Sequence, residues 1–463
     1  MSTMPGVSRL LPLAAVCIGL FAASTEDAFA LLPVTNCANI GSGSLRASVA
    51  SAVSGDKITI PSSINCSTIS LTTGAITIPA AVANLTIVGP GADALMVRHG
   101  YGSPPDRVFD HQGTGTFTVQ ALSVAYGNPT ATSYSVDGGC IRSSGRVTLL
   151  SAQVSYCRAN GTGSAGARGG GIYADKVNVK YSTMSQNDAI GTSFVRGGAI
   201  YSQGLFAKYS NITRNSAYSS GSAFFLGSGG GIYNTNGAAT ITGSNVSYNA
   251  TSGSADGISE FISGTAVSLQ ISNSTISHNY AGHTIGGVYS DAPTTIHNST
   301  IAFNSAAQDY TGSRHHAPGL HVEEDGYAIT LDLVSSILSN NTYGAINDDI
   351  SIFQTASYPV TLTGSNNLIY SNFPSTPVPG GTIRFACPLL GPLRDNGGVT
   401  QTLALLSHSP AIDTGSNPFA FDFDQRQGPY ARMSGANPDI GAYEVQQADI
   451  VFNTSFEGCP VVF

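Results

Sequence analysis

Apolar and polar residues alternate in short runs along most of the chain. Val177 and Val179, Leu269 and Ile271, and Leu331 and Leu333 each stand two apart, the period of a strand with one face buried. Glycine, serine and asparagine fill the gaps between runs, as turn residues do. No stretch between these landmarks keeps a helical stripe of useful length.

The runs recur. The chain reads GGCIR at 138–142, GGGIY at 169–173, GGAIY at 197–201, GGGIY at 229–233 and GGVY at 286–289, with a weaker PGLH at 318–321. The apolar residue after each cluster falls at Ile172, Ile200, Ile232, Val288 and Leu320, in steps of 28, 32, 56 and 32 residues. The step of 56 is two periods. A second landmark, a β-branched strand ending in asparagine, follows each cluster and gives Asn187, Asn215, Asn249, Asn279, Asn304 and Asn340. Two landmarks in fixed order at a period near 30 predict a stacked repeat.

Strands without helices exclude leucine-rich and tetratricopeptide arrays. Propeller blades need longer repeats with a tryptophan signature, and this chain has no Trp. A parallel β-helix with one repeat per coil remains. Its core is expected to be aliphatic ladders including Ile241, Ile271 and Ile296. The six asparagines are expected to form an inward ladder that satisfies amides in the coils above and below. Dividing about 400 residues by the period gives roughly 12–14 coils and a rod about 60 Å long.

The ends differ from the middle. Residues 1–30 carry Arg9, the run LLPLAAVCIGLFAA and a small-x-small Ala28-Phe29-Ala30, which reads as a secretory signal peptide. Cys17 lies inside that run. Residues 31–125 are expected to hold a capping helix from Leu45 to about Val53, strands at 67–71 and 75–78, and the first coils. Residues 126–345 are the central coils, 346–445 the last coils and a closing region, and 446–463 a tail.

These ends also carry a resemblance. GSLRASVASAVSGDKI, NLTIVGPGA and RVF resemble the opening of secreted bacterial right-handed β-helix repeat proteins, and the GGGIY and NSTIS coils resemble polymorphic outer-membrane protein repeats. GPLRDNGGVTQTLALLSHSPAIDTGSN, DQRQGPYAR and PDIGAYE are similar to the carboxyl-terminal part of choice-of-anchor Q domain proteins. One departure is Gln427, where the usual form has glycine directly after DQR. The tail ADIVFNTSFEGCPVVF resembles endings seen on secreted proteins of Gram-negative bacteria. The resemblance implies an exported, right-handed β-helix protein, secreted or held at the cell surface.

Outside the signal, six cysteines remain: Cys37, Cys66, Cys140, Cys157, Cys387 and Cys459. An even number in an exported chain favours disulfides, and no CxxC pair points to zinc. Proximity pairs them 37–66, 140–157 and 387–459, one of fifteen connectivities. Charged residues are 10% of the chain and the net charge is −8, with no Lys/Arg cluster, which argues against nucleic acid. Apart from the signal, no apolar run is long enough for a transmembrane helix. The expected state is a monomer.

Chemistry is sparse. Between 170 and 290 the acids are Asp175, Asp188, Asp256 and Glu260, scattered out of register. One dense segment, GSRHHAPGLHVEEDG, brings His315, His316, His321, Glu323, Glu324 and Asp325 within eleven residues. It reads either as a metal or acid–base site or as a solvated insertion in one coil. The acids Asp413, Asp422, Asp424, Asp439 and Glu444 are candidate calcium ligands. The alternative is that Asp413, Asp424, Arg426, Asp439 and Glu444 form salt bridges and turn caps that close the helix. The expected function is that of a non-catalytic, adhesin-like protein that contacts polysaccharide or another surface. The alternatives are a polysaccharide lyase or glycoside hydrolase built on residues 315–325, or autotransporter passenger material.

Overall fold

The computed structural model describes residues 31–221, 227–253, 257–261, 267–307, 317–372, 376–447 and Cys459. His315, His316, Cys17 and the signal segment lie outside them. The chain is an all-β parallel β-helix. One coil shows the plan: Ile172–Tyr173 in sheet 1, Lys176–Lys180 in sheet 2, Thr183–Ser185 in sheet 3, Asp188–Gly191 in sheet 4 and Val195–Arg196 in sheet 5, before Ile200–Ser202 re-enters sheet 1. Among the described residues, sheets 1 to 5 hold 10, 12, 12, 9 and 4 strands.

The predicted register holds through the core. In sheet 1, Ile141, Ile172, Ile200, Ile232, Ile258, Val288, Leu320 and Ile350 pair in sequence, and all are fully buried. The 56-residue step contains the rung at Ile258, so its two turns are 26 and 30 residues. Ile241, Ile271, Ile296 and Leu333 form the matching column of sheet 2. Burial of one such side chain contributes about 1.5–3 kcal/mol.

The glycine clusters shape the turn into sheet 1. Gly169 sits at φ 65°, where a side chain is strained, and a Cβ on Gly170 would strike the carbonyl oxygen of Gly198 and the backbone of Asp188. The third position is looser: Ala199 and Cys140 occupy it elsewhere.

Sheet 3 owes its shape to left-handed residues at both ends of its short strands. Tyr181, Tyr209, Gly243, Asn273, Asn298, Ser335 and Asn366 precede the strands, and Gln186, Arg214, Tyr248, His278, Phe303 and Asn340 end them, all with φ between 47° and 60°. The residue following each corner points inward. After the second corner it is asparagine. Each Asn Oδ1 accepts from the backbone N–H of the preceding rung at 3.0–3.1 Å, and each Nδ2 donates to the following rung at 2.8–2.9 Å, through Asn187, Asn215, Asn249, Asn279, Asn304 and Asn341. The sixth rung is therefore Asn341, not Asn340. Asn340 is the left-handed corner itself, at φ 56°.

A second ladder follows the first corner. The hydroxyls of Ser182, Ser210, Ser244, Ser274, Ser299 and Ser336 each accept the amide N–H one coil back, at 3.0–3.2 Å. The asparagine ladder ends on Asp349, which accepts from the Asn341 side chain at 2.8 Å, its backbone at 3.0 Å and Ser371 N–H at 2.7 Å. Burial pushes the Asp349 carboxyl up to about 7 against these three donated bonds.

All three disulfides form with the expected pairing, Cys37–Cys66, Cys140–Cys157 and Cys387–Cys459, at Cα separations of 6.5, 5.3 and 5.8 Å. Cys157 takes the asparagine position in its coil, where its N–H donates to Asn187 Oδ1. Such crosslinks fit an oxidising, extracellular setting. At the other end of the rod the helix spans Leu45–Ser51, capped by Ser44 Oγ on Ala47 N–H, and buries Leu45 and Val49 in the first coils. Among the described residues no helix is long and apolar enough to cross a membrane.

The coil number falls at the lower edge of the roughly 12–14 expected from length. Twelve strands in the longest sheets span about 50 Å at about 4.8 Å each. The reason is that residues 388–446 do not coil. They form an antiparallel hairpin, Leu390–Arg394 with Thr402–Leu405, and fold back along the outer face of sheet 3. Asparagines hold this segment: the strand residue Asn211 donates from Nδ2 to Val399 O at 3.1 Å, and the corner residues Asn273, Asn298 and Asn366 donate to Phe423 O at 3.0 Å, Ser416 O at 2.7 Å and Thr414 O at 3.1 Å.

Candidate functional site

The dense polar segment divides. His321 lies on the strand Leu320–Glu323 and is fully buried. Its Nδ1 bonds Ser351 Oγ at 2.7 Å, and its Nε2 lies 3.4 Å from Glu323 Oε2. Tyr289 OH donates to Glu323 Oε1 at 2.7 Å, and the tyrosine ring stacks on the imidazole. Burial, then the negative charge of Glu323, raises the Tyr289 phenol far above its ordinary value, so it stays neutral. Ser351 Oγ also accepts Ala317 N–H at 2.6 Å and is itself buried. A Ser–His–Glu order thus exists here, enclosed rather than presented to substrate. Glu324 instead caps the turn at Gly326 N–H, 2.8 Å away, and Asp325 is exposed. Among the described residues no group of three or more His, Cys, Asp or Glu side chains is arranged to hold a metal ion.

The acids of the closing region face cations and backbone amides. Arg426 donates to Asp424 Oδ2 from Nε at 2.9 Å and Nη2 at 2.7 Å, and its guanidinium lies between the rings of Tyr430 and Tyr443, 3.9 and 3.8 Å from their centres. Arg432, which the sequence did not single out, pairs with Glu444 at 3.1 Å. Asp439 accepts from Asp413 N–H at 2.8 Å and Val445 N–H at 2.7 Å, and Asp413 accepts from Ala436 N–H at 2.8 Å. Burial raises Asp424 and Asp439 and pushes Glu444 up to about 7. These oxygens accept from arginine and amide hydrogens, which is the arrangement of a structural lock rather than of a calcium shell.

Gln427 resolves the departure in DQRQGPYAR. It adopts φ 73°, the conformation that glycine takes without strain. Gln427→Gly is expected to stabilise the protein by about 0.5–1 kcal/mol, read as a higher unfolding midpoint in urea. A lower midpoint would show that the contact of its side chain with Asp424 O, 3.2 Å away, matters more.

The surface feature with recognition chemistry is the part of sheet 3 that the fold-back segment leaves open. Its floor is polar and partly exposed: Gln153, Thr183, Ser185, Asn211 and Thr213. Aromatic pairs border it on both corners. Tyr126 and Tyr156 stack at 5.2 Å on one side, and Tyr181 and Tyr209 stand 5.2 Å apart on the other. Tyr126, Tyr156 and Tyr181 are 38, 46 and 51% exposed. Arg98 lies over Tyr126, Lys208 over Tyr209, and Arg214 ends the first border. The corner column changes identity toward the cover: Tyr181 on the open face, Tyr209 in the coil where the cover begins, and Asn273, Asn298 and Asn366 where it is covered. Sequence periodicity missed these tyrosines because left-handed corners lie between strands.

Comparison with known proteins adds little to this geometry. No family model matches the chain, and no curated protein matches it. Among solved structures, a crystal structure of pectate lyase Pel9A is similar at 12% identity and a TM-score of 0.43, over 90% of this chain and 97% of that one.

Proposed function

We propose that this chain is an exported, non-catalytic β-helix protein of the choice-of-anchor Q type that binds an extended polysaccharide along the open face of sheet 3. The observation that carries the reading is that face: a flat floor of hydroxyls and amides between two aromatic borders. Hydroxyl-rich polymers offer both matching surfaces, since polar edges bond to the floor and C–H faces pack on tyrosine rings. The strand repeat of about 4.8 Å along the axis gives an extended chain a regular series of equivalent contacts. The signal-like residues 1–30 and the disulfides support export, and the ending quoted above supports the family.

An enzymatic reading has a weaker base. Glycosidic hydrolysis needs two carboxyl groups about 5–10 Å apart facing one substrate. Of the dense segment's described residues, the one histidine is fully enclosed.

Screening on an array of acidic and neutral polysaccharides tests the proposal. The parent is expected to bind at least one polymer, and Tyr156→Ala with Tyr181→Ala to weaken that binding about tenfold at unchanged circular dichroism. No reducing ends or unsaturated products are expected from pectin, alginate or chondroitin, with or without calcium or zinc. Cleavage that disappears in His321→Ala, Glu323→Ala would move the protein to the enzymes.

A further inference from the structure

We infer that the open face reads the end of an acidic glycan chain and not its middle. This rests on the glycan-binding proposal and sharpens it. The face runs along the rod axis, so a polymer laid on it travels from coil to coil. At the coil of Asn211 it meets a wall, Gly398–Gln401 of the fold-back hairpin. Asn211 Nδ2 holds Val399 O at 3.1 Å, and Thr400 Oγ1 donates to Gly243 O at 3.2 Å. Behind the wall, Gln425 Nε2 donates to Thr400 Oγ1 and Gln401 O, both at 3.0 Å, and its Oε1 accepts from Thr275 Oγ1 at 2.6 Å. The face cannot continue, because the next coils are covered by Phe423, Gln425 and Ala442.

At the foot of the wall lies a cavity of 370 Å³, lined by Thr183, Thr213, Arg214, Asp395 and Gln401 among others. That size is at the lower end of small-molecule sites, about 300–1,000 Å³, and suits one terminal sugar better than a passing polymer. The lining fits an end chemically. A terminal unit has a free hydroxyl where an internal unit has a glycosidic oxygen, and the Asp395 carboxylate can accept from that hydroxyl only at an end. Arg214 can pair with a uronate carboxylate. Arg98, Lys208 and Arg214 border the face in a chain whose net charge is −8, so the positive local field is set against the overall charge and favours an acidic glycan.

Short and long size fractions of polygalacturonate and alginate distinguish the cases. The number of protein molecules bound per glycan chain, measured by analytical ultracentrifugation at saturation, is expected to be one for every fraction of the bound polymer. A number that rises in proportion to chain length, with binding intact, overturns end recognition. No binding to either polymer overturns the acidic-glycan choice, and silence across the full polysaccharide array overturns the glycan reading beneath it. Asp395→Ala and Arg214→Gln, folded by circular dichroism, are each expected to weaken binding of the short fraction about tenfold. Unchanged affinity in both would remove the cavity from the site.

Discussion

Arg426→Ala is expected to destabilise the closing region by about 3–5 kcal/mol, because it leaves a carboxylate buried without its cation. Arg426 and Asp424 are both fully enclosed. Asp424 Oδ2 accepts from Arg426 Nε, Arg426 Nη2 and Glu444 N–H, so one atom ties the 424–426 turn to the stretch at Glu444. Burial alone raises the Asp424 carboxyl, and Arg426 is the principal opposing influence. Without the guanidinium the group would have to take up a proton or expose itself. The variant's deficit should therefore shrink as pH falls, because a neutral Asp424 no longer needs a counter-charge. Arg426→Lys should recover little. An ammonium cannot fill the planar slot between Tyr430 and Tyr443 or donate twice to one carboxylate oxygen in the same geometry. Thermal unfolding with limited proteolysis checks this: the hairpin 390–405 should become cleavable in the variant while the coils stay protected. A melting curve and digestion pattern matching the parent would show that the pair is dispensable.

The coils were legible because each aliphatic rung repeats a local rule. Ile232 and Ile241 announce inward positions by alternation, and the next coil repeats the same order. The asparagine ladder was legible to within one residue. At SSILSNN the strand pattern alone cannot separate Asn340 from Asn341. Serine stands five residues before every ladder asparagine, from Ser182 and Asn187 to Ser336 and Asn341, but Ser335 stands five before Asn340 as well, so spacing does not separate them either. The fold-back segment was not legible as a cover. Its contacts, such as Asn211 with Val399 across 188 residues, depend on an outer face that no local periodicity describes. The dense polar segment, for which the sequence left a metal or acid–base site and a solvated insertion both open, does not form one cluster among the described residues. Its residues crowd in sequence, but strand and turn geometry send His321 inward under cover and Glu324 into a turn.

The asparagine ladder supplies the other large effect. Asn249→Ala is expected to cost about 3 kcal/mol or more, because four bonds disappear at once inside a dry core. Asn215 loses the acceptor of both its backbone N–H, at 3.1 Å, and its Nδ2, at 2.9 Å. Ile212 O and Asn279 Oδ1 lose the Asn249 Nδ2 hydrogens, at 3.0 and 2.9 Å. An alanine Cβ replaces none of them, and the tight corner leaves little room for water. The neighbouring-residue control is Asn340→Ala. Among the described residues that side chain reaches only Ser339 Oγ at 2.8 Å and Cys459 Sγ at 3.7 Å, so its loss should cost about 1 kcal/mol, mainly the strain of alanine at φ 56°. Asn341→Ala should resemble Asn249→Ala, although these two asparagines are adjacent only in their roles and Asn340 and Asn341 only in sequence. Urea midpoints for the three variants decide the matter. If Asn340→Ala proves as damaging as Asn341→Ala, inward asparagine bonding is not what holds successive coils at this corner.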